Sequence, residues 1–434
     1  MDATFHIETY GCQMNVYDSA RIRALLLAEG WREAGGPEAA GAVILNSCAV
    51  RGHAEERVLG RVGELKGLKA ARPGLVLALA GCVAQERGRA LLDQYPQLDI
   101  VVGTESYDRL PQLIQGVRRG GPRSCDTSFC SCDRLPAAAD FEGRPAGYAA
   151  VMRGCDNFCT YCIVPYVRGR ERSRPPREIA DEIAAMVRRG LRDITLVGQN
   201  VNSYRYGDAD FPALLAAAAG VPGIERVRFI TSHPKDCGRR LLEAMADGPR
   251  VCEHLHLPLQ SGSDRILGLM NRGYTAARFI ELAALARSTV PGLSLTSDVI
   301  VGFPGETEAE FRETLALVAD LRFDAAFTYR YSPRPGTKAA GLPDQLPEEV
   351  KLGRLDELIK LQNRITLESN QAEVGKSFEV MTEGPSRKGG GQLVGRTRSN
   401  KVVAFASDSD AAPGAMVQVR ISGATTGTLI GVSA

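Results

Sequence analysis

Three times in the first hundred residues of this chain an apolar run ends beside a cysteine and gives way to a helical stretch. Thr4 to Tyr10 alternates like a half-buried strand and turns at Gly11-Cys12, after which Ile22, Leu25, Leu26 and Leu27 recur at helical spacing between Ser19 and Glu29. Ala42 to Asn46 leads to Cys48 and a helical stretch from Glu55 to Ala71. Leu75 to Leu79 leads to Gly81-Cys82 and a helix from Gln85 to Leu92. A fourth unit pairs Leu98 to Gly103 with a helix from Leu110 to Val117. Strands separated by helices cannot pair as hairpins, so the pattern demands crossovers and a mostly parallel, doubly wound sheet. The ligand crevice of such a sheet lies beyond the carboxyl ends of its strands. Cys12, Cys48 and Cys82 all fall there, and Gly11 and Gly81 permit tight turns or close backbone approach beside them. The plainer reading is three separate buried thiols; their repeated place at strand ends favours one shared three-thiolate site.

A second cysteine set is compact: Gly154-Cys155-Asp156-Asn157-Phe158-Cys159-Thr160-Tyr161-Cys162, spaced C-x3-C-x2-C with no fourth cysteine or histidine close behind. A structural zinc site closes its tetrahedron with four protein ligands, whereas three thiolates on a 4Fe-4S cluster leave one iron open. A closed zinc site with a distant fourth ligand, or a chance cluster of thiols, are the competing readings. With its aromatic before the last cysteine, the stretch resembles the signature of the radical S-adenosylmethionine (SAM) superfamily. That resemblance implies an open iron that chelates the amino and carboxylate groups of SAM.

Compartment decides how eleven cysteines are read. No apolar run approaches the ~20 residues of a membrane helix, and Met1-Asp2-Ala3-Thr4 lacks the pattern of a signal peptide. A cytoplasmic chain with no membrane partner is expected, in which cysteines serve as metal ligands or redox thiols, not as a disulfide framework. The net charge of +2, from 53 Lys and Arg against 51 Asp and Glu, neither argues for nucleic acid nor excludes it, so any basic surface must be local.

From Tyr148 onward six further strand-helix units are expected, with strands at Tyr148 to Met152, Asp193 to Gly198, Arg226 to Ile230, His254 to Leu257, Leu293 to Val301 and Ala325 to Tyr329. Between them lie amphipathic helices such as Pro176 to Arg189. The superfamily resemblance implies a partial (β/α)6 barrel with the cysteine loop after its first strand, at the functional end. The resemblance further places SAM contacts at Gln199, Gln260, Ser261, Gly302 and Glu306. His233, before Pro234, is read either as a substrate or proton-relay contact or as a turn residue. Beside the cysteine loop, Arg168, Arg170, Arg172 and Arg174 alternate with other residues; a solvated loop is the ordinary reading, and contact with RNA phosphate or a carboxylate is the functional one, with Arg168, Arg170 and Arg172 the expected RNA contacts.

Pro347 to Leu367 reads as a helix with Val350, Leu352, Leu355, Leu358 and Leu361 on its apolar face. Five short strands after Gly375 suggest a small antiparallel, OB-like barrel. Arg396, Arg398 and Lys401, with Arg387 and Lys388, give it local positive charge suited to phosphate. The segment resembles a TRAM domain, an RNA-binding module. The expected division is 1–120, a linker 121–140 carrying Cys125, Cys130 and Cys132 as an exposed thiol patch, a radical SAM domain 141–370, and a TRAM domain 371–434. Cys237 and Cys252 receive no role.

Tyr10-Gly11-Cys12-Gln13-Met14-Asn15, Asn46-Ser47-Cys48-Ala49-Val50-Arg51 and Gly81-Cys82-Val83-Ala84-Gln85 resemble the three N-terminal motifs of the radical SAM methylthiotransferase family. The family resemblance implies two 4Fe-4S clusters, one on Cys155, Cys159 and Cys162 and an auxiliary one on Cys12, Cys48 and Cys82, with SAM as the further cofactor. Leu257 to Ser263 and Tyr331 to Thr337 are most similar to the branch that adds a methylthio group to carbon 2 of N6-isopentenyladenosine beside the anticodon of tRNA. No catalytic side chain is expected beyond the cluster ligands. A relative acting on a ribosomal-protein aspartate or on threonylcarbamoyl-adenosine in tRNA, and a non-catalytic iron-sulfur RNA-binding protein, are the alternatives. The expected partners are tRNA and a low-potential electron donor such as flavodoxin or ferredoxin, with the chain a monomer.

Overall fold

Parallel pairing, imposed by the helices between the strands, organises the N-terminal sheet. The computed structural model describes residues 3–50, 52–129, 141, 143–386, 391–406 and 411–433. Arg51, Cys130, Cys132, Arg387 and Lys388 lie outside the described residues. The sheet runs β2 (Arg32–Glu33), β1 (Thr4–Tyr10), β3 (Ala42–Ser47), β4 (Val76–Gly81), β5 (Ile100–Val102), β6 (Ser124–Asp126), and every neighbour pair is parallel. Helices cover both faces. On one, Ile22 and Leu26 of α1 (Gln13–Ala28) and Leu110 and Ile114 beyond β5 pack on Phe5, Ile44, Ala78 and Ile100. On the other, Val58, Val62 and Leu65 of α2 (Gly52–Ala71) pack on Val43, Leu45, Leu77 and Leu79. Strands sandwiched this way are buried on both sides, which is why β3 and β4 read as unbroken apolar runs.

One expectation about this region is corrected. The supposed linker begins with β6, so Cys125 sits in the sheet paired opposite Val101, and it packs against the second core face. Its strand is only three residues long and polar at both ends, too short to show a period.

The chain divides into two compact units: Met1–Phe141 with Tyr148–Asp156 and Cys162–Arg172, and Glu142–Gly147 with Asn157–Tyr161 and Ser173–Ala434. The six strands of the central region form two three-stranded sheets. One contains β7 (Ala146–Ala150), Asp193–Val197 and Arg226–Phe229; the other contains His254–His256, Ser294–Val301 and Ala325–Arg330. The pairs within the second sheet are parallel, and a parallel bridge from Val227 to Val251 links the sheets. This is the partial barrel. Helix Glu348–Gln371 then leaves it, but its buried side is Lys351, Arg354, Leu358, Gln362 and Ile365, while Val350 and Leu352 are exposed. The expected apolar face was therefore wrong at its start: long side chains with apolar stems and partnered polar ends fill positions that a hydrophobic pattern assigns to leucines.

The C-terminal strands Ser377–Pro385, Leu393–Thr397, Val402–Ala406, Met416–Ala424 and Leu429–Ser433 close into a barrel around Val380, Val403, Phe405, Val419 and Ile421. All its pairs are antiparallel except Val402–Ala406 with Leu429–Ser433. Two buried arginines hold this barrel to the central strands. Arg226 donates to the Arg396 carbonyl at 2.6 Å and to Glu379 at 3.1 Å. Arg228 donates to the carbonyls of Arg398 at 2.6 Å and Thr397 at 2.9 Å while its Nε pairs with buried Asp193 at 2.9 Å. Removing one partner of a buried ion pair strands the other charge, at about 3–5 kcal/mol. Arg228→Ala should therefore lower unfolding stability by about that amount, and limited proteolysis should release the C-terminal barrel sooner than from the unmodified chain.

Candidate active site

The three N-terminal cysteines stand at the ends of adjacent strands because the register aligns Tyr10 with Ser47 and Ser47 with Gly81. Cys12 begins the turn into α1, Cys48 follows β3, and Cys82 opens α3 (Cys82–Arg87). The turns leave no room for side chains. A Cβ on Gly11 would lie 2.7 Å from Cys48 Cβ, and one on Gly81, whose φ is +96°, would run into Ser47 and Asn46. Asn15 secures the first turn: its Oδ1 accepts from the Cys12 backbone N–H at 3.1 Å, and its Nδ2 donates to the Ser47 carbonyl at 2.9 Å. Asn46 in turn donates to the Asn15 carbonyl and to Ser19 Oγ, both at 2.9 Å.

Hydrogen bonding between Cys12 and Cys48 makes Cys12 the more acidic thiol and pushes Cys48 up, with the Arg168 cation further favouring the Cys12 thiolate. Burial pushes Cys82 up, opposed by the same arginine. Among the described residues, no three cysteine, histidine or carboxylate side chains gather closely enough to bind a single metal ion. A cubane places each thiolate on a different iron, so its ligands stand further apart than those of one ion. Three buried or half-buried thiols with glycine on two approaches fit that group.

Each part of the second cysteine set is held by its own neighbours. In the first unit, Cys155 is 9% exposed and its N–H donates to the Gly169 carbonyl at 3.3 Å. In the second unit, Asn271 Nδ2 donates to the carbonyls of Asn157 at 2.9 Å and Phe158 at 3.2 Å, and Thr160 is hydrogen-bonded to Leu269 and Met270. Phe158 takes φ +45° there. Two residues missed at the sequence level stand beside Cys159. Arg272, 5% exposed, donates from Nη1 to Cys159 Sγ at 3.3 Å and from Nη2 to the Pro258 carbonyl at 3.3 Å. Tyr274 OH donates to the Leu259 carbonyl at 2.8 Å and accepts from Arg272 Nε at 3.2 Å. A lone arginine in Asn271-Arg272-Gly273 carries no motif, so only the fold brings it to the thiol.

The residues expected to contact SAM divide into two kinds. Among the described residues, Gln199 and Gln260 each bury a side-chain Oε1 with no hydrogen-bond partner, and Gln260 has φ +69° in a bridge to Val299. The other three are engaged within the fold. Ser261, fully buried, faces Thr314 Oγ1 at 3.4 Å. Glu306 Oε2 accepts from the Gly302 N–H at 2.7 Å and pairs with Arg354 at 2.7 Å. Burial pushes the Glu306 carboxyl up against these contacts.

The arginines expected to face RNA also divide. Arg168 is corrected: it is 5% exposed and paired with buried Asp18 at 2.6 Å, because it ends the short helix α4 (Val164–Arg168) on its inward side. Arg170 and Arg172 are more open, paired with Asp156 and Glu105. In the C-terminal barrel, Arg398 turns inward to Glu253 at 2.7 Å and Lys401 to Ser369 at 3.0 Å, while Arg396 meets Glu383 at the surface. Their alternation in sequence conceals which side of each strand end faces the central domain.

His233 caps a 3-10 turn, its Nδ1 accepting from the Lys235 N–H at 3.2 Å, with its ring edge-on to Tyr274. Burial, with Arg272 and Lys235 nearby, lowers its pKa to about 2. The unfolded chain takes up a proton near pH 6.5 that the folded chain refuses, so the stability present above pH 6.5 is lost as pH falls. His233→Asn keeps an acceptor for the cap and should remove roughly 2 kcal/mol of the stability lost between pH 6.5 and 5, measured by denaturant unfolding at the two pH values.

Comparison with known proteins follows the same divisions. Residues 4–103 match the uncharacterized protein family UPF0004, residues 150–318 the Radical SAM superfamily, and residues 371–433 the TRAM domain. The tRNA-2-methylthio-N(6)-dimethylallyladenosine synthase of Moorella thermoacetica is 47% identical over 99% of this chain and 98% of its own. That of Geobacter sulfurreducens is 44% identical over 98% and 96%. Among solved structures, the radical S-adenosylmethionine methyltransferase TsrM of Kitasatospora setae superposes with a TM-score of 0.57 at 13% identity, covering 78% of this chain and 74% of that one. The cobalamin-dependent radical enzyme OxsB gives 0.53 at 11% identity, over 82% and 56%. These two likenesses are of fold.

Proposed function

Because the chain belongs to the tRNA-2-methylthio-N(6)-dimethylallyladenosine synthase family, we propose that it adds a methylthio group to carbon 2 of N6-isopentenyladenosine beside the anticodon of tRNA. The observation that carries this reading is identity sustained across all three domains, with both three-cysteine sets in place. It is a radical SAM enzyme that uses SAM and a 4Fe-4S cluster. Cys155, Cys159 and Cys162 would hold that cluster, and Cys12, Cys48 and Cys82 a second one. Carbon 2 of the base bears an unactivated C–H, which acid-base chemistry does not usefully open; when bound, the cluster and SAM supply a 5′-deoxyadenosyl radical able to take that hydrogen, and the second cluster supplies sulfur.

The chain's own residues bind and orient. Arg272 supports the Cys159 sulfur through a charge-assisted hydrogen bond. The unpartnered Oε1 atoms of Gln199 and Gln260 suit a ligand bearing donors, such as the amino group or ribose hydroxyls of SAM. Ser261, Gly302 and Glu306 act behind them, fixing the turns that present the pocket. Neutral His233 is a hydrogen-bonding group near Tyr274, not a source of charge. Arg170, Arg172 and Arg396 contact tRNA phosphates; Asp156 and Glu383, the present partners of Arg170 and Arg396, are solvated and easily exchanged, while Arg172 reaches outward from the buried carboxylate of Glu105. Arg398 and Lys401 serve the RNA module by fixing it in place. The protein acts as a monomer in the cytoplasm and draws electrons from a low-potential carrier such as flavodoxin or ferredoxin.

Anaerobically reconstituted protein, reduced with SAM present, should release 5′-deoxyadenosine, and Cys155→Ala should abolish the product. Nucleoside mass spectrometry of tRNA from a deletion strain should show 2-methylthio-N6-isopentenyladenosine lost and its unthiolated precursor accumulated; an unchanged nucleoside profile rejects the substrate. Cys48→Ala should lower bound iron by roughly half, as loss of one of two similar clusters requires.

A further inference from the structure

Arg168 follows Cys162 by only six residues, yet its side chain points away from solvent into the N-terminal unit. Ile163 and Val167, on either side of the same short helix, pack with Cys82, Val83 and Ala49. The Val167 carbonyl accepts from Thr104 Oγ1 at 2.7 Å. These contacts already seat the helix. The guanidinium adds something else: Nη2 lies 2.6 Å from Asp18 Oδ2, and Tyr107 OH donates to that same oxygen at 3.4 Å. Asp18 is 1% exposed and lies on α1, the helix that begins just after Cys12. Its other oxygen is buried with no hydrogen-bond partner among the described residues. Arg168 also acts electrostatically on the Cys82 and Cys12 thiols.

As a fastener this pair is a weak choice. Desolvating two charges costs several kcal/mol per ion, and an apolar replacement of similar volume commonly does as well or better. A buried, always-charged fork beside thiols has a different use. A cluster bound by three thiolates carries negative charge, and nearby charge and hydrogen bonds to sulfur set its reduction potential.

We propose that Arg168, oriented by Asp18, is a positioning residue for the Cys12, Cys48 and Cys82 site, placing a fixed positive charge against the cluster that raises its reduction potential. The proposal rests on the reading that these cysteines hold an auxiliary cluster. Asp18 moderates the charge and fixes the direction of the fork. Substitutions at the two positions must therefore move the potential in opposite directions.

The test uses full-length protein in which Cys155, Cys159 and Cys162 are all changed to Ala, reconstituted anaerobically with iron and sulfide, so that only the auxiliary cluster is titrated by electron paramagnetic resonance. Adding Arg168→Gln should shift the reduced-to-oxidised ratio at fixed potential at least tenfold toward oxidised, about 59 mV for a one-electron couple. Adding Asp18→Asn should shift it toward reduced, and Arg168→Lys, which keeps the charge, should stay closer to the parent than the Gln variant. If Arg168→Gln does not fold, the Asp18→Asn shift decides the sign. Unmoved potentials in folded, iron-loaded variants, or shifts of the same sign at both positions, overturn the proposal. A parent that binds no iron overturns the auxiliary-cluster reading itself, and is distinguished by its iron content before any titration.

Discussion

The register of β1, β3 and β4 is the constraint on which the N-terminal site depends. Parallel pairing sets Tyr10, Ser47 and Gly81 side by side, so three cysteines far apart in the chain leave the sheet at one end. A slip of one residue in any strand would reverse which side chains face each helical layer, and both layers pack on buried apolar side chains of the sheet. The hydrophobic core thus enforces the register, and the register places the thiols. The glycines at the turns complete the arrangement by letting backbone stand where a side chain would collide.

Buried arginine is the recurring device in the rest of the molecule. Arg168 turns a surface-like sequence motif into a buried ion pair with Asp18. Arg272 reaches Cys159 from the far side of a loop. Arg226 and Arg228 fasten the C-terminal barrel through backbone carbonyls, which requires the barrel to approach closely and in one orientation. In Arg272, Arg226 and Arg228 a planar fork satisfies several acceptors at once, which a lysine at the same position does not do. The C-terminal module is accordingly bound to the central strands by polar contacts with defined direction.

Much of the fold was legible because it rests on periodicity. The apolar runs of β3 and β4, the six strands of the partial barrel and the five short strands of the tail all stand where the pattern puts them, within a few residues at their ends. The misreadings share a cause. Val350 and Leu352 are exposed, Ser124–Asp126 is a strand, and Arg168 is buried, because none of these is decided by its own neighbours in sequence. Each is decided by which surface the rest of the chain brings against it.

The sequence by itself determined the chemistry that the chain carries: two sets of three cysteines, alternating strands and helices, and a small β module, all expressed through local spacing and side-chain type. Only the tertiary structure decided which charges serve the fold and which remain open to a ligand. Arg168, Arg398 and Lys401 look like Arg170 and Arg396 when read along the chain, yet burial beside Asp18 in the first case, and pairing with Glu253 and Ser369 in the others, gives them different work. The physical reason is that a charge is defined by its solvation and its partners, and both are set by segments distant in sequence.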